Sequence, residues 1–370
     1  MTLLFFSIFI LYAILIFSFT IGSLKINEFS AKNRDSRTTF SVVIPFRNEA
    51  KNLPLLLRSI QKIEYPTSQV EFIFVDDHSS DRSIEIIKNW HSRLKIPTRI
   101  ITNKRNSNSP KKEAISTAIS MAKNDWIITS DADCSFSKNW LKSMDLFIQK
   151  TQPEMIVAPV NYQVKNSFLE QFQLLDFMSL QGITIGGFGI GVPILCNGAN
   201  LGYKREMFLK LNGFDGNDHI ASGDDLFLFE KFITENKKNV KYLKSKAAIV
   251  TTFPVKSWMD LLNQRTRWAA KTGSSSSLNI KLIGLLVLLT NFSVVYCFCR
   301  AQIQLFLVVF ILKMCVDLLL FWPTIKFFEH KGSFFKWYAP ASIVYPFFSI
   351  IILLTSLFYK YNWKGRRFKK

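Results

Sequence analysis

Residues 3–22, LLFFSIFILYAILIFSFTIG, contain no charged side chain. About 20 apolar residues in a helix span the ~30 Å hydrocarbon core of a bilayer. The run therefore forms a membrane helix or a cleaved leader. A leader fits poorly, because no basic residue precedes the run and the run exceeds a usual signal core. Residues 1–24 are thus expected to be a retained transmembrane anchor. Lys25, Lys32, Arg34 and Arg37 follow, and the positive-inside rule puts the next domain in the cytoplasm.

Apolar runs return after TGSSSS (272–277), at about 282–299, 302–322 and 337–358. Residues 278–359 are expected to hold two or three transmembrane helices, ahead of a basic tail, 360–370. Lys313 and Asp317 stand four apart on one helix face, where they neutralise each other. Three C-terminal spans would put the tail, with six basic residues, opposite the first domain. That breaks the positive-inside pattern unless one run, such as that bearing Pro340 and Pro346, is re-entrant. The chain is expected to be an integral, multi-pass membrane protein.

The formal charge of +20 suits anionic lipid or nucleic acid. Nucleic acid is the weaker reading, since the basic residues flank apolar runs and are not interleaved with stacking aromatics. The five cysteines show no zinc-type pairs.

Between the apolar ends, strand and helix patterns alternate. FSVVIPF (40–46), VEFIFVDDHSSD (70–81), TRIITN (98–103) and WIITSDADC (126–134) read as strands. KNLPLLLRSIQKI (51–63), RSIEIIKNW (82–90) and KKEAISTAISMAKN (111–124) read as helices. The alternation predicts right-handed βαβ units on a mostly parallel sheet, an α/β domain over 38–252. FLEQFQLLDFMSLQ (168–181) is amphipathic and fits the membrane surface, a cover on the sheet or a core helix. WMDLLNQRTRWAAK lies in a second amphipathic segment, 253–277.

In open α/β sheets ligands bind beyond the carboxyl ends of strands. Here three strands end in PFRNEA (45–50), VDDHSSD (75–81) and SDADC (130–134), which should open onto one crevice. Asp131 and Asp133 would share a face in extended backbone. Two close carboxylates favour a cation between them, and Mg²⁺ or Mn²⁺ is typically held by one or two carboxylates plus substrate phosphates. Asp76 and Asp77 are placed to hydrogen-bond a base or ribose. Lys111 and Lys112 open a helix, whose dipole also favours anions. Asp224 and Asp225 precede an apolar helix, where an N-cap and a first-turn acid are an equally natural use. Gln264 and Arg267 stand three apart, Arg suits bidentate phosphate contact, and Trp268 offers a stacking face.

The ordered set SVVIPFRNEAKNL, VDDHSSD, SDADC, GANLGYKREMF, NGFD, SGDDL and QRTRW resembles membrane-anchored family 2 glycosyltransferases. The likeness runs from about residue 40 to 270, in the ceramide-glucosyltransferase-like and polysaccharide-synthase-like branch. It implies a GT-A fold, a Rossmann-like mixed sheet flanked by transmembrane helices. It also implies an inverting, metal-dependent enzyme that takes a sugar from a nucleotide-diphosphate donor. By position, Pro45, Glu49 and Asp77 would line the nucleotide pocket, with Lys111 near the nucleotide. Asp131 and Asp133 match the family's metal-binding DxD, and Asp225 its catalytic base. Gln264, Arg267 and Trp268 match the QxxRW that holds the diphosphate. Asp224 stands where many members carry Glu, and no Gly precedes Lys111, so that assignment shifts readily to Lys112. The expected acceptor is a membrane lipid or lipid-linked molecule. The alternatives are a processive polysaccharide synthase and a non-catalytic nucleotide-binding membrane protein.

Overall fold

A computed structural model describes residues 2–30, 35–105, 109–216, 223–358, 361–363 and 366–368. Ser222 of the SGDDL motif lies outside the described residues. The chain begins with helix α1 (Thr2–Lys25), then β1 (Phe40–Phe46), α2 (Leu53–Gln61), β2 (Val70–Asp76) and α3 (Ser83–His91). Next come β3 (Thr98–Thr102), α4 (Pro110–Met121), β4 (Trp126–Thr129), β5 (Ser135–Phe136) and α5 (Trp140–Thr151). β6 (Met155–Val157), β7 (Val160–Tyr162), α6 (Phe168–Gly189), β8 (Leu201–Lys204) and α7 (Arg205–Lys210) follow. The rest is α8 (Asp224–Asn236), β9 (Val240–Tyr242), β10 (Val250–Thr252), α9 (Trp258–Gly273), α10 (Leu278–Cys299), α11 (Ile303–Phe327), α12 (Lys331–Phe358) and the short antiparallel pair β11 (Tyr361–Trp363) and β12 (Arg366–Phe368).

These elements divide into two compact units. One, an α/β unit, comprises 28–163 and 196–253; the other, a helical unit, comprises 1–27, 164–195 and 254–370. Residues 164–195, which fall inside the stretch expected to form one α/β domain, group with the helices.

The main sheet of the α/β unit runs β3-β2-β1-β4-β8-β6-β9. β3, β2, β1 and β4 are mutually parallel, and β8 is antiparallel to both β4 and β6. The sheet is therefore mixed, as the fold class requires. Val42, Val43, Ile44, Phe72, Ile73, Phe74, Ile127 and Ile128 are fully buried, which explains strands that are apolar on both faces. α2 buries Leu53, Leu56, Leu57 and Ile60, an i, i+3, i+4, i+7 stripe. Pro45 lies beyond the last β1–β4 pair, Val43 with Thr129, so its missing N–H costs that edge no ladder bond. The two strands part at that point, and the crevice begins there. A second sheet, β5-β10-β7, completes the unit.

In the helical unit, four helices among the described residues are long and apolar enough to cross a membrane: Leu3–Lys25, Leu278–Cys299, Ile303–Phe327 and Lys331–Phe358. Three of them are C-terminal, and α12 runs unbroken through Pro340 and Pro346. Lys313 pairs with Asp317 at 2.6 Å, as the spacing suggested, and Tyr12 of α1 also donates to Asp317. Helix α6 packs on α1, α11 and α12.

The Gly-rich stretch inside α6 owes its composition to that packing. A Cβ on Gly186 would sit 2.3 Å from Phe19 O, and one on Gly189 1.9 Å from Gly22 O. The two backbones cross at van der Waals range, as small residues allow. Gly189→Ala is expected to lower helical-unit stability by about 1–3 kcal/mol. Gly284→Ala, with nothing within 4 Å of the added methyl, serves as the control and is expected to be near neutral. Thermal unfolding of the two purified variants checks this; equal midpoints would refute the tight crossing.

Candidate active site

The carboxyl ends of β1 and β2 are laced together. Phe46 O accepts from Asp77 N at 2.9 Å, and Arg47 Nη1 donates to the carbonyls of Asp77 (2.7 Å) and His78 (2.8 Å). Asn48 and His78 take left-handed backbone, φ 53° and 56°, which turns both loops sharply at the sheet edge. Glu49 N donates to Ser83 Oγ at 2.8 Å, and the Glu49 carboxylate accepts from Asn52 Nδ2 at 2.6 Å. Asp76 and Asp77 are both buried. Asp76 Oδ1 accepts from Ser79 N at 3.0 Å, so it braces its own loop. Asp77 Oδ1 accepts from Asn103 Nδ2 at 2.9 Å and from Arg105 Nε at 2.7 Å. Arg105 was not singled out in the sequence. Its only signal there is a basic residue just past the end of β3.

Asp131 and Asp133 follow β4, but the extended-backbone premise fails past Thr129. Residues 131–134 form a turn in which Cys134 N donates to Asp131 O at 3.2 Å. The strand's alternation ends with its ladder, so proximity along a turn, not a shared strand face, relates the two acids. The Asp131 side chain is 40% exposed.

Pro110 starts α4, which sets Lys111 and Lys112 in its first turn. They part company there. Lys111 Nζ lies 2.8 Å from Asp131 Oδ1 and 3.1 Å from Asp224 Oδ2. Lys112 is buried with its ammonium 4.8 Å over the Phe227 ring. Burial alone would lower the Lys111 pKa, but the carboxylates of Asp131 and Asp224, with Asp225 beyond, outweigh it and hold the ammonium above its ordinary range. Cys134 is a buried thiol pushed well above its usual pKa by desolvation and then by Asp133 and Asp131, which favours its neutral form.

Helix α8 starts after Gly223, whose φ of 85° suits only glycine. Asp224 and Asp225 fill its first turn, so neither is the cap residue. Asp225 Oδ2 accepts from Gly198 N at 3.1 Å, and Oδ1 from Leu226 N at 2.7 Å. Gly198 is as close as it can be: a Cβ there would meet Asp225 Cβ at 3.1 Å and Asp224 Oδ2 at 3.2 Å. The 198–200 turn is pinned in turn to β4. Thr129 Oγ1 donates to Gly198 O at 3.0 Å and Ser130 Oγ to Ala199 O at 2.8 Å. Asn200 bonds Pro159 O and Ala248 O and accepts from Trp140 Nε1 at 3.1 Å. The Asp131 turn and the Asp225 carboxylate are thus coupled through three residues of backbone. Tyr203 Oη is buried among these groups, with no hydrogen-bond partner among the described residues.

Gln264, Arg267 and Trp268 lie on α9, in the helical unit. The residue between them, Arg265, was overlooked in the sequence. It is buried, pairs with Asp176 of α6, donates to Gln264 Oε1 and stacks its guanidinium 4.1 Å over Trp268.

For a divalent ion, Asp131 and Asp133 are the two carboxylates at the end of β4 that could serve as ligands. No group of three or more His, Cys, Asp or Glu suited to a metal occurs among the described residues. Two carboxylates suit Mg²⁺ or Mn²⁺ if diphosphate and water oxygens complete the shell.

Residues 41–211 match the model of a family described as Glycosyl transferase family 2. Over 239 residues the chain is 26% identical to a probable glycosyltransferase of Bacillus subtilis, YdaM, covering 62% of this chain and 54% of that protein. It is 40% identical over 94 residues to the undecaprenyl-phosphate 4-deoxy-4-formamido-L-arabinose transferase of Photorhabdus laumondii, 25% of this chain and 28% of that one. The chain thus spans about half the length of the first relative and little over a quarter of the second. Among solved structures, a mannosyltransferase from Pyrobaculum calidifontis, in complex with GDP-Man and Mn2+, shares the fold. Its TM-score is 0.56 at 14% identity, over 96% of each chain.

Proposed function

We propose that this chain is an inverting glycosyltransferase that moves a sugar from a nucleotide-diphosphate sugar to a membrane lipid or lipid-linked acceptor. The observation that carries this is the meeting of Asp131, after β4, and Asp224, in the first turn of α8, at one lysine, Lys111, inside a single unit. Acids at strand ends beside a half-buried cation suit a ligand with both phosphates and hydroxyls. The family match supports the reaction class. The Photorhabdus relative, named for a polyprenyl-phosphate acceptor, supports the acceptor class.

In this reading Asp77, with Pro45, Glu49 and Asp76, shapes the nucleotide end. Asp131 and Asp133 hold Mg²⁺ or Mn²⁺, which when bound neutralises charge on the leaving diphosphate. The resemblance assigns Arg267, with Gln264 and Trp268, to phosphate contact. Asp225 takes the proton from the acceptor hydroxyl as that oxygen attacks the anomeric carbon from the face opposite the diphosphate. One displacement inverts the configuration. Asp224 orients Lys111 and the start of α8. The four apolar helices anchor the enzyme in the membrane, with the α/β unit on the cytoplasmic side.

The test is incubation of membranes holding the full chain with a panel of labelled nucleotide sugars, followed by lipid extraction. Label in the lipid fraction with one donor is expected. Label in a polymer on a sizing gel would instead support a processive synthase, and no transfer with any donor would refute catalysis. Excess chelator is expected to abolish the transfer and added Mn²⁺ or Mg²⁺ to restore it. Full activity in chelator would remove the metal role from Asp131 and Asp133.

A further inference from the structure

Lys111 joins three elements. It stands in the first turn of α4 and reaches Asp131 after β4 at 2.8 Å and Asp224 of α8 at 3.1 Å. Its side chain is 19% exposed, against 40% for Asp131, so the lysine is the more protected member of the pair. Asp131 is also half of the acidic pair at the end of β4, and no larger set of metal-ligating side chains occurs among the described residues. The ammonium therefore sits on an oxygen that a divalent ion would need, and two cations at one carboxylate repel.

We propose that Lys111 is a positioning residue, the built-in counter-ion of the donor crevice. It ties Asp131 to the start of α8 while the crevice is empty, and it releases Asp131 to a divalent cation only when a diphosphate offers the ammonium a replacement anion. This rests on the donor-site reading above. It makes cation and nucleotide binding mutually dependent, and such coupling is reciprocal. It also gives Asp224 a role distinct from that of Asp225: Asp224 keeps Lys111 in the site after Asp131 is released.

The experiment measures Mn²⁺ binding to the full-length purified chain from the spin-resonance signal of the free ion, with and without UDP or GDP. Wild type is expected to bind Mn²⁺ weakly alone and about ten-fold or more tightly with nucleotide. Lys111→Met, neutral and of similar length, is expected to bind Mn²⁺ alone about ten-fold more tightly than wild type and to lose most of the nucleotide enhancement. Lys111→Arg keeps the charge and should keep the wild-type coupling. Unchanged or weaker Mn²⁺ binding by Lys111→Met, beside a wild type that shows the coupling, overturns this proposal alone. A wild type that binds neither Mn²⁺ nor nucleotide overturns the donor-site reading and this proposal with it. Should Lys111→Met fail to fold, Asp224→Asn decides: it leaves Lys111 to Asp131 alone, so Mn²⁺ binding without nucleotide should weaken, and tighter binding would overturn the proposal.

Discussion

Asp225→Asn is expected to reduce sugar transfer by roughly a hundred- to ten-thousand-fold, the usual contribution of a general base. Donor binding should survive. The substitution is isosteric, and the Asn side-chain oxygen still accepts from Gly198 N, so the start of α8 and the 198–200 turn keep their contact. What is lost is Oδ1, both as a proton acceptor and as the acceptor of the bond from Leu226 N. Transfer assays and nucleotide-sugar binding measured on the same preparation separate the two effects. A variant that retains a tenth of wild-type turnover would sink the base assignment. A variant that loses donor binding as well would mean that Asp225 holds the crevice together and does not act on the acceptor.

The second large effect is on folding. Arg265 and Asp176 form a buried ion pair, with side chains 4% and 9% exposed. Removing one partner of such a pair strands the other charge, at a cost of about 3–5 kcal/mol, whereas replacing both with apolar residues is often near neutral. Arg265→Leu and Asp176→Leu are each expected to destabilise the helical unit by that amount, and the double variant by less than either. Chemical denaturation of the three variants tests this. Additive losses would show that the two residues act separately. Because Arg265 also contacts Gln264 and Trp268, Arg265→Leu is expected to disturb the α9 segment bearing the QxxRW residues even where the chain stays folded.

Arg265 also shows what the sequence hid. In QRTRW the sequence marks Gln264, Arg267 and Trp268 for phosphate or membrane contact and carries no local sign of what Arg265 does. Burial against α6 distinguishes it, and burial depends on a residue 89 positions away. The first four strands and three helices were legible because β-branched runs and 3.6-residue periodicity are local properties. β6, β8 and β9 were not, since three- or four-residue strands carry little periodicity and exist only through pairing with neighbours. The Gly-rich stretch at 182–191 is mostly helix. Its glycines answer to the backbone of α1, which no local pattern reports.

By itself, then, the sequence determined the alternation that builds the parallel half of the sheet, the four apolar runs and the acids at the strand ends. Each follows from the chemistry of neighbouring residues. Only the tertiary structure decided that Lys111, not Lys112, meets Asp131, that this lysine also reaches Asp224, and that Gly198 holds Asp225. Adjacent lysines at a helix start are chemically identical. Which one points into the crevice and which one packs over Phe227 depends on the angle at which α4 leaves the sheet, a property of the whole packed unit and not of any short segment.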